Sequence, residues 1–240
     1  AGGILGPGKM MSIHLPVLLK ETIEGLNLPE KPIVLDCTFG GGGHSEEICK
    51  KYPGAKITAL DQDQSAWEKA KGKFKDLGCN ITFTHANFRD LNNLKIADVD
   101  GVIFDLGISS DQLENSGRGF SFMKDEPLLM TMKEVPLPEE VTAYSIVNTW
   151  EEKNLADIIY GYGEEKFARR IAQAIVRRRS EAEIKTTSDL VNIIREAVPA
   201  AYRRGRARGR ASRIHFATRT FQALRIAVND ELRALSEGLP

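Results

Sequence analysis

Residues 33–44 read IVLDCTFGGGGH, and this stretch decides the fold. Ile33-Val34-Leu35 is a short apolar run of the kind that forms a buried strand. It ends in Asp36, and four consecutive glycines follow, Gly40 to Gly43. A strand that breaks into glycines and then a helix lets a ligand lie against bare backbone, because missing Cβ atoms permit close approach and positive φ. The helix start adds N–H groups for polar ligand atoms. A glycine run also serves as a plain tight turn, so the turn gains meaning only from its surroundings.

Those surroundings repeat the pattern. Apolar strands are predicted at Ile33–Cys37, Ile57–Asp61, Ile81–His85 and Val102–Asp105. Helices are predicted over Gly43–Tyr52 and Gln64–Leu77, the second with Trp67, Ala70, Phe74 and Leu77 at helical spacing. Strands alternating with helices imply right-handed βαβ units and a parallel sheet. Asp36, Asp61 and Asp105 each close a strand, and in open α/β sheets ligands bind beyond those carboxyl ends. Asp61 lies nineteen residues past Gly42, where a carboxylate can accept both ribose hydroxyls of an adenosine. NAD and S-adenosylmethionine both fit this pattern, although the turn is not a regular G-x-G-x-x-G. Phe88, after the third strand, suits either an adenine face or the core. Asp105, followed by Leu106-Gly107-Ile108-Ser109-Ser110, suits a reacting centre or a polar turn.

From Val141 onward the chain reads as helices only. Glu164–Arg179 is predicted to bury Phe167, Ile171 and Ile175. Thr186 or Thr187 is predicted to cap a helix that Pro199 ends, and one last helix is predicted over Thr218–Glu237 with Gly238 as its stop. The formal net charge of the 240 residues is zero, yet Gly163 to Arg225 holds sixteen Lys and Arg against six Asp and Glu. That segment carries +10 and suits a polyanion. Its densest part is YRRGRARGRASR, with Arg203, Arg204, Arg206, Arg208, Arg210 and Arg213. No run of 18 apolar residues suggests a membrane span. Cys37, Cys49 and Cys79 form no close pair in sequence, which predicts a reducing compartment with neither a disulfide frame nor a zinc site. Residues 1–11 are read as a disordered leader outside the fold.

Eight segments then occur in one order: His14–Leu19, Asp36–His44, Asp61–Asp63, Phe88–Leu91, Asp105–Leu113, Arg118–Phe122, Tyr162–Glu165 and Ala217–Ile226. In these the chain resembles the bacterial 16S rRNA cytosine-N4 methyltransferases, which have mitochondrial relatives acting on small-subunit rRNA. The resemblance implies an α/β class I S-adenosylmethionine-dependent methyltransferase fold, a Rossmann-like parallel sheet, with an all-helical insertion. It places the cofactor domain at 12–112 and 214–240 and a helical substrate-recognition insertion at 113–213. It implies that Gly42, Gly43 and His44 hold the methionine part of S-adenosyl-L-methionine, Asp61 the ribose and Phe88 the adenine, with Asp105 and Gln112 lining the site. By analogy with other amino-methyltransferases, Asp105 is also the candidate catalytic acceptor.

The implied partner is small-subunit rRNA or the 30S particle in the cytoplasm, with Arg177-Arg178-Arg179 and Arg203–Arg213 on its phosphates. The chain departs from the family at Pro127–Lys133, where Leu129, Thr131 and Lys133 stand in place of an acid, a base and an acid. Only four strands are read where the fold has seven. The expectation is a fragment or processed form, or a sheet completed by another chain, as in a homodimer, and poor methylation by the isolated chain. An RNA-binding assembly protein that keeps the cofactor pocket is the alternative function; a nicotinamide-dependent oxidoreductase is the third.

Overall fold

A computed structural model describes residues 18–64, 70, 72–96, 98–203 and 214–239. Four strands, β1 (Ile33–Asp36), β2 (Lys56–Asp61), β3 (Asn80–His85) and β4 (Gly101–Ile103), form one parallel sheet in the order β3-β2-β1-β4. All four fall where the apolar runs predict them. Val34 pairs with Ile57 and Gly101, and Leu35 with Thr58 and Val102, so β1 sits between β2 and β4. Strand side chains alternate between faces. Val34, Ile57 and Ile103 therefore join α1 (Leu19–Gly25) and α2 (Gly43–Lys51) in one apolar layer with Ile23, Phe39 and Ile48. Leu35 and Leu60 face the other way, onto Phe88 and Ala234. Of the helix predicted over 64–77, Gln64, Ala70 and residues 72–74 are helical; Trp67 lies outside the described residues.

After the short helix α3 (Ser110–Asn115) comes a second core. Its helices are α4 (Ala143–Thr149), α5 (Glu152–Gly161), α6 (Ala168–Arg179), α7 (Thr187–Ala197), α8 (Ala200–Arg203) and α9 (Thr218–Asn229). Ile146, Leu155, Ile159, Ile171, Ile175 and Ile194 are fully buried in it. Burial of each such side chain contributes roughly 1.5–3 kcal/mol. Thr186 caps α7 in a reciprocal box with Asp189, as its position before an apolar-periodic run predicts. α6 begins four residues later than its pattern suggests. Glu164 takes a left-handed φ of 50°, and the buried Glu165 carboxylate accepts the Phe167 N–H at 2.9 Å, which holds residues 163–167 as a turn. No helix among the described residues is long and apolar enough to cross a membrane.

Two expectations need correction. The helix predicted over 218–237 is two helices, α9 and α10 (Glu231–Gly238), broken at Asp230 with φ 49° and ψ 40°. Aspartate is among the few non-glycine residues that visit this region readily, and the Asp230 carboxylate accepts from Arg89 at 3.0 Å. The break also divides residues 214–240. Phe221 and Leu224 pack in the helical core, whereas Ala234 packs under the sheet. Second, Cys49 and Cys79 are joined by a disulfide, with Cα atoms 5.4 Å apart across thirty residues of chain. The end of α2 and the start of β3 meet at one edge of the sheet, a proximity that sequence spacing hides. Closing such a loop contributes about 3–4 kcal/mol in the chain-entropy account.

Cys37 is the remaining cysteine, and it is buried. Burial, with the Asp36 carboxylate beside it, pushes its thiol up to about 12. The thiolate is the nucleophile, so a thiol with a raised pKa stays protonated and inert through neutral pH. Iodoacetamide at pH 8 is expected to label none of the three cysteines in the native chain. It should label one after denaturation alone and three after denaturation with reduction, counted by mass spectrometry. Labelling of Cys37 in the native chain would contradict its placement.

Candidate active site

The carboxyl ends of β1, β2 and β4 converge on the glycine turn, and their three acids do different work. Asp36 is buried; its Oδ2 accepts from Ser45 Oγ at 2.6 Å and its Oδ1 from the Thr38 N–H at 3.2 Å. Burial pushes this carboxyl above its usual range, against the pull of those donors. It ties the strand to α2 across the turn. Asp61 accepts the Gly40 N–H at 2.7 Å and the Asp63 N–H at 2.8 Å, which anchors the turn to the end of β2. Burial raises its carboxyl too, and these backbone donors lower it. Asp105 differs: its side chain is 60% exposed, and its Oδ2 lies 3.8 Å from His44 Nδ1. The Asp105 N–H donates to Thr38 Oγ1 at 2.7 Å, so the backbone of β4's end is fixed while the carboxylate faces outward.

The turn is built as the glycines predict. Gly42 has φ 72°, and a Cβ there would stand 2.6 Å from the Phe39 ring. It precedes α2, and no side chain caps that helix start. The N–H groups of Gly43 and His44 begin α2 beside Asp105, so a polar ligand group can take the place of a cap. Gln112 stands across this site: its Oε1 accepts from Ser109 N–H at 3.0 Å, and its Nε2 reaches Asp63 Oδ2 at 3.4 Å.

Phe88 is packed rather than presented. It is 9% exposed, clusters with Leu35 and Leu60, and meets Phe104 edge to face at 5.6 Å. Of the arginines, Arg203 ends α8, and Arg204, Arg206, Arg208, Arg210 and Arg213 lie outside the described residues. The Arg177–Arg179 run splits. Arg177 is exposed, Arg178 pairs with Glu181, and Arg179 donates to Val147 O at 3.0 Å.

Sequence reasoning assigns no role to Arg118 or Asp63, although both fall in quoted motifs. They form a buried ion pair, 2.6 Å between Nη2 and Oδ2, with relative exposures of 5% and 3%. Arg118 Nη1 also donates to Met132 O at 2.6 Å. The altered segment is therefore placed at the edge of the site. It is held largely through its backbone: Met130 N–H donates to Arg118 O, and Asn229 bonds both Met130 O and Met132 N–H at 2.8 Å. Thr131 is buried, and Lys133 pairs outward with Glu140. The segment thus keeps its packing without the family's charges.

A parallel sheet, a glycine turn at the end of β1 and an acid closing β2 define the class of fold, α/β and Rossmann-like; the family match makes it a methyltransferase. The chain belongs to the MraW methylase family, whose model matches residues 11–240. It is 47% identical over 231 residues to a Ribosomal RNA small subunit methyltransferase H of Clostridium botulinum (strain Kyoto / Type A2), covering 94% of this chain and 71% of the relative. It is 45% identical over 232 residues to the protein of that name from Brevibacillus brevis (strain 47), covering 94% and 70%. The ordered motifs and the family comparison agree.

Replacing Arg118 by Ala leaves Asp63 buried without its charge partner. Such a change destabilises by about 3–5 kcal/mol, whereas replacing both partners by apolar residues of similar volume costs far less. Urea unfolding of R118A and of the double variant R118M/D63L is expected to show that order. Equal stability of R118A and the parent would contradict the pair's role.

Proposed function

We propose that the chain transfers a methyl group from S-adenosyl-L-methionine to the N4 amine of a cytidine in the decoding region of small-subunit (16S) rRNA. The observation that carries this reading is the division among the three strand-end acids. Asp36 and Asp61 are engaged by the turn that they shape, while Asp105 presents an exposed carboxylate beside His44. The relatives, named as ribosomal RNA small subunit methyltransferases, support the substrate.

The residues present fit the cofactor. Bare backbone at Gly42 and Gly43, with the uncapped start of α2, would hold its methionine part. The Asp61 carboxylate accepts from the Gly40 and Asp63 N–H groups, and carboxylate oxygens, with about four lone-pair sites, could also accept a ribose hydroxyl. Gln112 and Asp105 would line the remainder, and the small part of Phe88 left exposed, held in place by Phe104, would flank the adenine. When bound, the cofactor supplies an electrophilic methyl on a cationic sulfonium.

Cytosine N4 is a poor nucleophile, because its lone pair is delocalised into the ring. The protein must therefore place N4 in line and accept the proton it sheds. Asp105 is the acceptor in this reading, on a backbone fixed by Thr38, with the Leu106–Ser110 main chain orienting the amine. The base must leave its stack to reach Asp105, which favours single-stranded or opened RNA. Such a substrate places the protein in the cytoplasm, where the Cys49–Cys79 bond would be reversible. The altered charges at Leu129, Thr131 and Lys133 favour one second reading, a weakly catalytic RNA-binding assembly protein.

A tritiated methyl-transfer assay on small ribosomal subunits, read for N4-methylcytidine, separates the two readings. Transfer is expected with the parent chain. Asp105→Asn is expected to lower kcat by about 10²–10⁴ while KM for the methyl donor changes less than tenfold. An unchanged kcat would remove Asp105 from catalysis, and no N4-methylcytidine would favour the assembly reading.

A further inference from the structure

Several surface cations among the described residues face carboxylates. Lys50 and Lys73 meet Glu46, Arg89 meets Asp230 and Glu237, Arg225 meets Glu231, and Arg233 meets Asp230. One face of α6 gathers several cations that do not. Arg169, Arg170, Gln173 and Arg177 are all exposed, and at 100° per residue they share about a 100° arc of α6, opposite the buried Ile171 and Ile175. None of the three arginines has an acidic partner among the described residues. Lys166, at the start of this face, is held over the rings of Phe167 and Tyr202 at 5.4 and 5.1 Å, and Arg170 lies 5.9 Å from the Phe167 ring. Aromatic contacts steady these cations without neutralising them.

The same end of α6 adjoins the start of α9. Arg219 Nη1 donates to Glu164 O at 2.6 Å, and a Cβ on Gly163 would stand 2.4 Å from Arg219 O. Just before α9 is an aromatic ladder. Phe122 and His215 stack at 4.5 Å with 17° between planes, and His215 and Phe216 lie 4.1 Å apart. Phe122 rests edge-on against the buried Phe221, 5.3 Å away, which foots the ladder in the helical core. His215 is its exposed member, and Nδ1 accepts the Ala217 N–H at 3.3 Å, which fixes the ring. Arg195, with no carboxylate partner among the described residues, lies over Phe216 at 5.9 Å. Phe122 is four residues from Arg118, so this chain ties the ladder to within about 14 Å of the pair at the cofactor edge.

We propose that the α6 cation face and the Phe122–His215–Phe216 ladder form one docking site for single-stranded RNA, the face holding phosphates and the ladder an unpaired base. The proposal rests on the RNA-methylating reading and names the form of the RNA and where it is held. Binding sites for single strands combine a basic track with aromatic surfaces on which bases stack. A duplex would offer the phosphates but no open base face to His215.

The test is fluorescence anisotropy of the full chain with a short single-stranded oligoribonucleotide over a range of salt. The triple variant R169Q/R170Q/R177Q is expected to reduce the slope of log K against log salt by about 2, since each phosphate contact on a single strand contributes about 0.7. His215→Ala should leave the slope unchanged and weaken binding about five- to 150-fold. His215→Phe should restore it, and an oligonucleotide lacking bases should abolish the difference. Thermal melting of each variant checks the fold. Parent-like slope and affinity in R169Q/R170Q/R177Q and in H215A, or equal affinity for duplex and single strand, would overturn the docking site while leaving methyl transfer standing. Both signatures in a chain that yields no N4-methylcytidine would support the docking site and reject the catalytic reading. A parent chain that binds no oligonucleotide overturns the docking site outright.

Discussion

The buried Arg118–Asp63 ion pair is the constraint on which the arrangement of the site depends. Asp63 belongs to the loop leaving β2, two residues past the acid that anchors the glycine turn. Arg118 opens the segment that leads into the helical core. Two charges this deeply buried are tolerable only if each satisfies the other and most remaining donors find acceptors; Arg118 Nη1 finds Met132 O, while its Nε has no partner among the described residues. Met132 O and Gln112 supply part of that environment, so the pair fixes α3, the 128–133 segment and the end of β2 relative to one another. A helical layer could pack against the sheet in many registers through apolar contact alone. A buried pair with defined hydrogen bonds selects one, which a site shared between sheet and helices needs.

Within that frame the acids at the strand ends are graded by what surrounds them. Asp36 and Asp61 are drawn into the protein and hold the turn from two sides, so the bare backbone of Gly40–Gly43 is presented in one shape. Asp105 is left to the solvent side, on a strand end fixed by Thr38. The turn's glycines are required at Gly42, where the left-handed φ and the Phe39 ring exclude a side chain. Preorganisation of this kind lowers the ordering cost of binding, because the groups that meet the ligand are already in place.

Much of this was legible in the chain. Apolar runs ending in acids gave the sheet, its parallel sense and the place of the site, because each is a local pattern that βαβ topology makes global. The Thr186 cap and Gly42 were readable for the same reason. Other features depend on partners distant in sequence. The break at Asp230 leaves the apolar period of the last helix intact, and only the Arg89 contact and the packing of Ala234 under the sheet make the turn worthwhile. Cys49 and Cys79 look unrelated until α2 and β3 bring them together. Arg118 and Asp63 fall in quoted motifs without an assigned role, and nothing local reveals that both are buried. The arginine run at 177–179 likewise reads as one patch, although helical geometry sends its three side chains to three environments.

The central claim is that the carboxyl end of this sheet, with its glycine turn and Asp61, is a site for S-adenosyl-L-methionine. Isothermal titration of the chain with that molecule, and in parallel with NAD, tests it most directly. The account predicts saturable binding of S-adenosyl-L-methionine at one site, lost or severely weakened in Asp61→Ala, and no heat of binding with NAD. Binding of NAD, or an affinity for S-adenosyl-L-methionine indifferent to Asp61, would contradict it.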